Sequence, residues 1–123
     1  KDRILCADIA LAPANETEIR AAMKSTMQKR VDKQPLDFPS AGSVFKRPPP
    51  VNGQPVYAAK LIEDIGLKGY SIGGMQISPK HAGFIVNTGG GTCNNLKQLI
   101  AYTIDKVKTE YGITLETEII FVV

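Results

Sequence analysis

Ser43 stands directly after Gly42, in the run Pro39-Ser40-Ala41-Gly42-Ser43-Val44-Phe45-Lys46-Arg47-Pro48. Glycine and proline bound this run too closely for a helix. Glycine also relaxes the backbone beside the hydroxyl, so Ser43 can be presented to a pocket rather than packed away. Lys46 follows three residues later, able to hold an anion. Glu116 and Glu118 alternate along an extended segment near the other end of the chain and would share one face of a strand. Two carboxylates on one face bind a cation or raise one pKa; by themselves they read more simply as a solvated strand edge. Lys33 falls at the end of a helical pattern, where the macrodipole favours a cation without any function. Beside a pocket it would instead contact a diphosphate.

Other chemistry-bearing residues read more plainly. Thr88-Gly89-Gly90-Gly91-Thr92 leads from a strand into a helix and looks like a phosphate cradle. It lacks the Gly-Lys-Ser/Thr ending of a P-loop and the spaced glycines of a dinucleotide site. A tight turn closed by Thr92 as N-cap explains it without a ligand, and that reading is favoured. His81 is the sole histidine. With no carboxylate or thiol at ligand spacing, no metal site is expected, and a local structural or solvent-exposed role is favoured for His81. Cys6 and Cys93 form no CxxC pair; isolated buried thiols in a reducing cytoplasm are favoured over a bridge.

These residues need a scaffold. Ile4 to Leu11 predicts a strand, ended by Pro13. Asn15 then reads as an N-cap for a helix that ends near Lys33, with Ile19, Met23, Met27 and Val31 as its core-facing stripe. Prolines recur through residues 34–56, so no regular helix survives there, and a long irregular stretch in a compact domain is usually functional. Ala58 to Ile65 predicts a short helix stopped by Gly66. Tyr70 to Ser78 and Gly83 to Asn87 predict strands. Leu96, Leu99, Ile100, Thr103, Ile104, Val107 and Tyr111 give the next helix a 3.6-residue period, ended by Gly112. Thr114 to Val122 predicts a last strand. The order implies an α+β domain, helices packed on a largely antiparallel sheet. Its expected core is Ile19, Met23, Met27, Leu61, Ile62, Leu96, Leu99, Ile100, Ile104 and Val107.

The 123 residues suit one domain, and 43% hydrophobic content supplies a core. A net charge of +3 suits a small anionic ligand and is too weak and too scattered for nucleic acid. No apolar run approaches the ~20 residues that cross a bilayer, and no signal peptide is recognisable, so neither membrane insertion nor export is expected. The chain opens on lysine and is read as a fragment or processed piece.

The ordered blocks Lys33-Gln34-Pro35-Leu36, Pro39 to Lys46, Ala59 to Glu63, Gly66 to Gly69, Ile72-Gly73-Gly74-Met75-Gln76-Ile77-Ser78, Lys80-His81-Ala82, Phe84-Ile85-Val86-Asn87 and Leu115-Glu116-Thr117-Glu118 together resemble the UDP-N-acetylenolpyruvoylglucosamine reductases. The resemblance covers nearly the whole chain but only about the last third of that family. It implies the third, UDP-sugar-holding domain of a three-domain flavoenzyme, over residues 1–123. Residues 1–33 would supply a leading strand and helix that join it to flavin domains outside this chain. The short connections resemble the branch that lacks an inserted tyrosine-bearing loop.

What the resemblance implies is specific. NADPH reduces FAD, bound mainly by those other domains. The reduced flavin passes hydride to the enolpyruvyl group of the UDP-sugar, giving UDP-N-acetylmuramate for peptidoglycan precursors, and hence for cell-wall biogenesis, shape and division, in the cytoplasm. Ser43 matches the proton donor and Glu118 the carboxylate that assists it. Lys33 matches a phosphate-contacting lysine, and Gln76 falls in a motif near substrate. Lys46 and Arg47 fall in the Lys-Asn-Pro motif as Lys-Arg-Pro; arginine there could hold a carboxylate or phosphate in its own way. The competing reading is a non-catalytic module of the same fold that binds an anionic ligand or nucleotide sugar. A small nucleic-acid-binding domain is a distant third, since neither a basic stripe nor an aromatic-rich sheet motif is present.

Overall fold

A computed structural model of the chain describes residues 5–122. It falls into two compact units, one up to Arg30 and one from Val31 onward.

In the first unit, Asn15 caps helix α1 (Glu16–Lys33): its Oδ1 accepts from the Thr17 and Glu18 amides. This is the N-terminus expected from the sequence. The strand expected over residues 4–11 does not form. Residues 5–11 are exposed and take no regular structure, while residue 4 lies outside the described residues. A strand requires a neighbouring edge for its backbone hydrogen bonds, and this one finds none among the described residues. The methionine stripe is likewise not core: Ile19, Met23 and Met27 are 44%, 66% and 57% exposed. Helical spacing aligned them on one face, but α1 buries no residue.

The second unit is built on a four-stranded antiparallel sheet of order β1-β4-β3-β2. Its strands are β1 (Ser40–Ser43), β2 (Ser71–Ile72), β3 (Met75–Ile77) and β4 (Phe84–Asn87). The single strand expected over residues 70–78 is a hairpin, because Gly73-Gly74 turns the chain between Ile72 and Met75. Gly74 is required there: a Cβ would lie 2.0 Å from the Gly89 carbonyl oxygen. Helices α2 (Ala58–Asp64) and α3 (Cys93–Tyr111) complete the unit, with α3 against β2 and β3 and α2 against α3.

Period-2 alternation gives the sheet two distinct faces. Met75, Ile77 and Ile85 join Ile62, Leu99, Ile100, Val107, Val44, Phe45 and Leu115 in the core. Gln76, paired with Val86, and Phe84 belong to the other face. Helix α3 turns Leu99, Ile100, Thr103 and Val107 inward, with Leu96 and Ile104 partly buried. The Thr103 hydroxyl satisfies itself on the Leu99 carbonyl at 2.7 Å. Thr92 and Asn95 form a reciprocal capping box, and Gly112 closes the helix in the left-handed region. The expected last strand over residues 114–122 shrinks to one bridge, Phe45 with Thr117. The proline run from Pro48 offers no N–H groups, so a ladder beside it cannot extend.

Cys6 and Cys93 are exposed free thiols, not the buried ones expected. Cys93 opens α3 on the exposed side of its first turn. Among the described residues, no helix is long and apolar enough to cross a membrane.

Candidate functional site

Ser43 reaches its position through a bulge. Ser40 pairs with Val86, but Ser43, rather than Gly42, pairs with Phe84. One extra residue is thus taken up between them, where Gly42 adopts φ +83°. The bulge swings Ser43 onto the Phe84 face while Val44, next in the chain, enters the core. The backbone beyond is pinned on both sides. The Val44 amide donates to the Gly83 carbonyl at 2.9 Å, and its carbonyl accepts from the Glu118 amide at 2.8 Å. The Lys46 amide donates to the Glu116 carbonyl at 2.9 Å. This short antiparallel clamp brings Glu118 beside the serine motif although the two are far apart in sequence.

Ser43 and Glu118 line one open cleft of about 310 Å³. Lys46 and Arg47 form its cationic edge, and Phe45, Tyr57, Ala58, Ala59 and His81 complete it. Lys46 pairs across the clamp with Glu116 at 3.1 Å, and both side chains remain largely exposed. Arg47 lies over the Tyr57 ring, 4.3 Å from its centroid, which orients the guanidinium and leaves its edge free to meet an anion. The two carboxylates considered together in the sequence therefore divide: Glu116 is a salt-bridge partner, and Glu118 faces the cleft.

Gln76 and Lys33 are placed elsewhere. Gln76 lines a separate cleft of about 110 Å³ with Pro35, Phe38 and Lys80. Its amide donates to the Gly69 carbonyl at 3.0 Å and the Ser71 hydroxyl at 3.1 Å. Lys33 is exposed at the end of α1 and is not part of the Ser43 cleft. Lys80 reaches back to the Val31 carbonyl at 2.6 Å, satisfying a carbonyl in the last turn of α1. The glycine loop is not an open cradle. Asn87 Oδ1 accepts from the Gly89 and Gly91 amides, and Asn95 Oδ1 from the Thr92 amide. Tyr57 and His81 went unassigned to the site in the sequence. Their only signal is position: Tyr57 opens α2, and His81 sits in the turn before β4.

Fold and cleft define a class first: an α+β domain whose open, cation-edged cleft carries one hydroxyl and one carboxylate. Residues 34–122 match the family model described as UDP-N-acetylenolpyruvoylglucosamine reductase, C-terminal domain, and the chain belongs to that family. It is similar to the UDP-N-acetylenolpyruvoylglucosamine reductase of Fervidobacterium nodosum, 54% identical over 94% of this chain and 36% of the relative. The reductase of Thermotoga sp. strain RQ2 is 56% identical over 82% of this chain and 32% of its own length. A crystal structure of the Thermus caldophilus reductase (MurB) superposes with a TM-score of 0.64 at 32% identity, over 89% of this chain and 37% of the other. The chain thus spans about a third of the length of these relatives.

Proposed function

We propose that this chain is the substrate-binding and proton-donating domain of a UDP-N-acetylmuramate dehydrogenase. The parent enzyme would reduce UDP-N-acetylglucosamine enolpyruvate with NADPH through FAD, in cytoplasmic peptidoglycan precursor synthesis. The observation that carries this reading is the cleft itself: Ser43 and Glu118 converge on it beside Lys46 and Arg47. Residues 1–33 would join the domain to the rest of the parent protein.

The glycine loop, where a dinucleotide would be sought first, does not fit a flavin or nicotinamide pyrophosphate. The Asn87 and Asn95 side chains already accept from the Gly89, Gly91 and Thr92 amides, so these are not offered together to a pyrophosphate. FAD and NADPH are therefore assigned to parts of the parent protein outside this chain; the flavin, when bound there, supplies the hydride.

The residues of this chain serve the other half of the addition. Reduction at C3 of the enolpyruvyl group pushes an electron pair onto C2, where the neighbouring carboxylate delocalises it. The Ser43 hydroxyl gives its proton to C2, forming the second C–H bond. The serine oxygen recovers a proton from water in the open cleft, and Glu118 beside it assists the step. A positioned donor of this kind contributes ~10²–10⁴-fold. Lys46 and Arg47 would hold the substrate's anionic oxygens at the cleft edge. Lys33 and Gln76, outside this cleft, are proposed to contact the diphosphate and sugar portions.

In the full-length enzyme, Ser43→Ala should leave flavin reduction by NADPH near normal and slow reoxidation by the enolpyruvyl substrate by ~10²-fold or more. Stopped-flow absorbance of the flavin separates the two half-reactions. Equal slowing of both, or of neither, would remove Ser43 from the donor role.

A further inference from the structure

We propose that His81 is a substrate-contacting residue of the Ser43 cleft, presenting its Nε2–H as a donor to an anionic oxygen of the ligand; this rests on the reductase reading above. Several contacts fix the ring. The fully buried Ser78 hydroxyl accepts from the amides of Lys80 (3.1 Å) and His81 (3.3 Å), and the His81 carbonyl accepts from the Phe84 amide at 3.0 Å. These bonds shape the tight turn that leads into β4. The ring stands edge-on to Phe84 with centroids 5.0 Å apart. Phe84 is also the cross-strand partner of Ser43, so the histidine and the serine flank one aromatic side chain.

The ring's hydrogen bonding then fixes its tautomer. The Gly83 amide donates to His81 Nδ1 at 3.1 Å. An acceptor nitrogen carries no proton, so in the neutral ring the proton sits on Nε2. Gly83 admits this geometry because it has no side chain: a Cβ there would lie 3.0 Å from His81 Cε1 and 3.3 Å from Ala59 Cβ. Ala59 and His81 both line the cleft. With Nδ1 engaged, Nε2–H is the donor left to the ring, and no described residue accepts from it. Its ligand is an oxygen acceptor carrying negative charge, since Lys46 and Arg47 share the wall and Glu118 is the only acid lining it. The enolpyruvyl carboxylate has that chemistry.

Two isosteric substitutions separate this role from a structural one. Asparagine places an acceptor oxygen near Nδ1 and offers nothing at Nε2. Glutamine places a donor nitrogen near Nε2 and loses the Nδ1 acceptor. In the full-length enzyme, His81→Asn should keep the thermal midpoint close to wild type. It should raise KM for UDP-N-acetylglucosamine enolpyruvate and lower kcat/KM by about 10- to 100-fold, the loss expected for one hydrogen bond to a charged group. Flavin reduction by NADPH should be unchanged. His81→Gln should recover part of kcat/KM even if its midpoint is lower. The opposite order, with Asn near wild-type activity and Gln impaired, would make the ring a turn-stabilising element and overturn the proposal. Loss in both variants in proportion to their thermal midpoints would do the same. Ser43→Ala, measured alongside, distinguishes the failures: an active Ser43→Ala enzyme refutes the reductase site, whereas an inactive one with a fully active His81→Asn refutes only the histidine.

Discussion

Replacing Gly42 by alanine tests the bulge that presents Ser43. Its φ of +83° lies where a Cβ crowds the backbone, at a cost of about 1–2 kcal/mol. A Cβ built at this position meets nothing within 4 Å, so no steric term is added. Alanine also restricts the unfolded chain, which offsets about 0.4–1 kcal/mol. The net loss is thus about 1 kcal/mol, a fall of ~4–8 °C in the thermal midpoint for a domain of this size. The chain has an escape route, since removing the bulge would put residue 42 opposite Phe84 and turn Ser43 to the core face. That slip is opposed on both sides of Val44, by its hydrogen bonds to Gly83 and Glu118, and by the burial of Val44 and Phe45. Gly42→Ala should therefore keep the bulge and unfold earlier, and it should slow substrate-driven flavin reoxidation in the full-length enzyme less than tenfold. Gly42→Asn should lose less stability, because asparagine tolerates left-handed backbone. Circular-dichroism melts of this chain and stopped-flow of the parent enzyme read the two quantities. An alanine variant as stable as wild type, with its second half-reaction intact, would refute the strained bulge. One with native stability and an inactive second half-reaction would show that the strand had slipped.

Leu99→Ala should cost about 2–5 kcal/mol, since Leu99 is fully buried, whereas Met23→Ala should change the unfolding free energy of this chain by less than about 0.5 kcal/mol; urea titration checks both. Glu118→Gln should slow the same half-reaction as Ser43→Ala and leave flavin reduction by NADPH unchanged. The hydrogen bond and charge of Lys68 hold the Glu63 carboxyl below its ordinary value near 4.5. A carboxyl depressed by folding contributes stability above its unfolded pKa and loses it as pH falls through the folded one. The stability gap between wild type and Glu63→Gln should therefore be small above pH 4.5 and close below it, as measured by melts across that range.

Much of the second unit was legible because its signals are local. The period of α3 from Leu96 to Val107 follows one helix face, and Thr92 and Gly112 close its ends as their types predict. The first unit misled for the converse reason. Periodicity says which residues of α1 share a face but not whether anything covers that face, and here Ile19, Met23 and Met27 face solvent. The same limit applies to residues 5–11 and 114–122, whose extended, apolar character is visible in sequence while their strand partners are not.

The site divides along the same line. That Ser43 would be presented to a pocket rather than packed away was legible from Gly42 beside it, because a glycine before a hydroxyl is a backbone statement and the bulge is its physical form. Nothing in the spacing of Glu116 and Glu118 tells which one faces the cleft. The clamp decides it, by pairing Lys46 with Glu116 and tying the Glu118 amide to Val44. His81 was hidden more deeply. A lone histidine carries no spacing signal, and its place depends on Phe84 being shared with Ser43 across two strands. The side chains set by one residue's own backbone were readable, and those set by register between distant segments were not. A cleft assembled from residues 43–47, 57–59, 81 and 118 is mostly of the second kind.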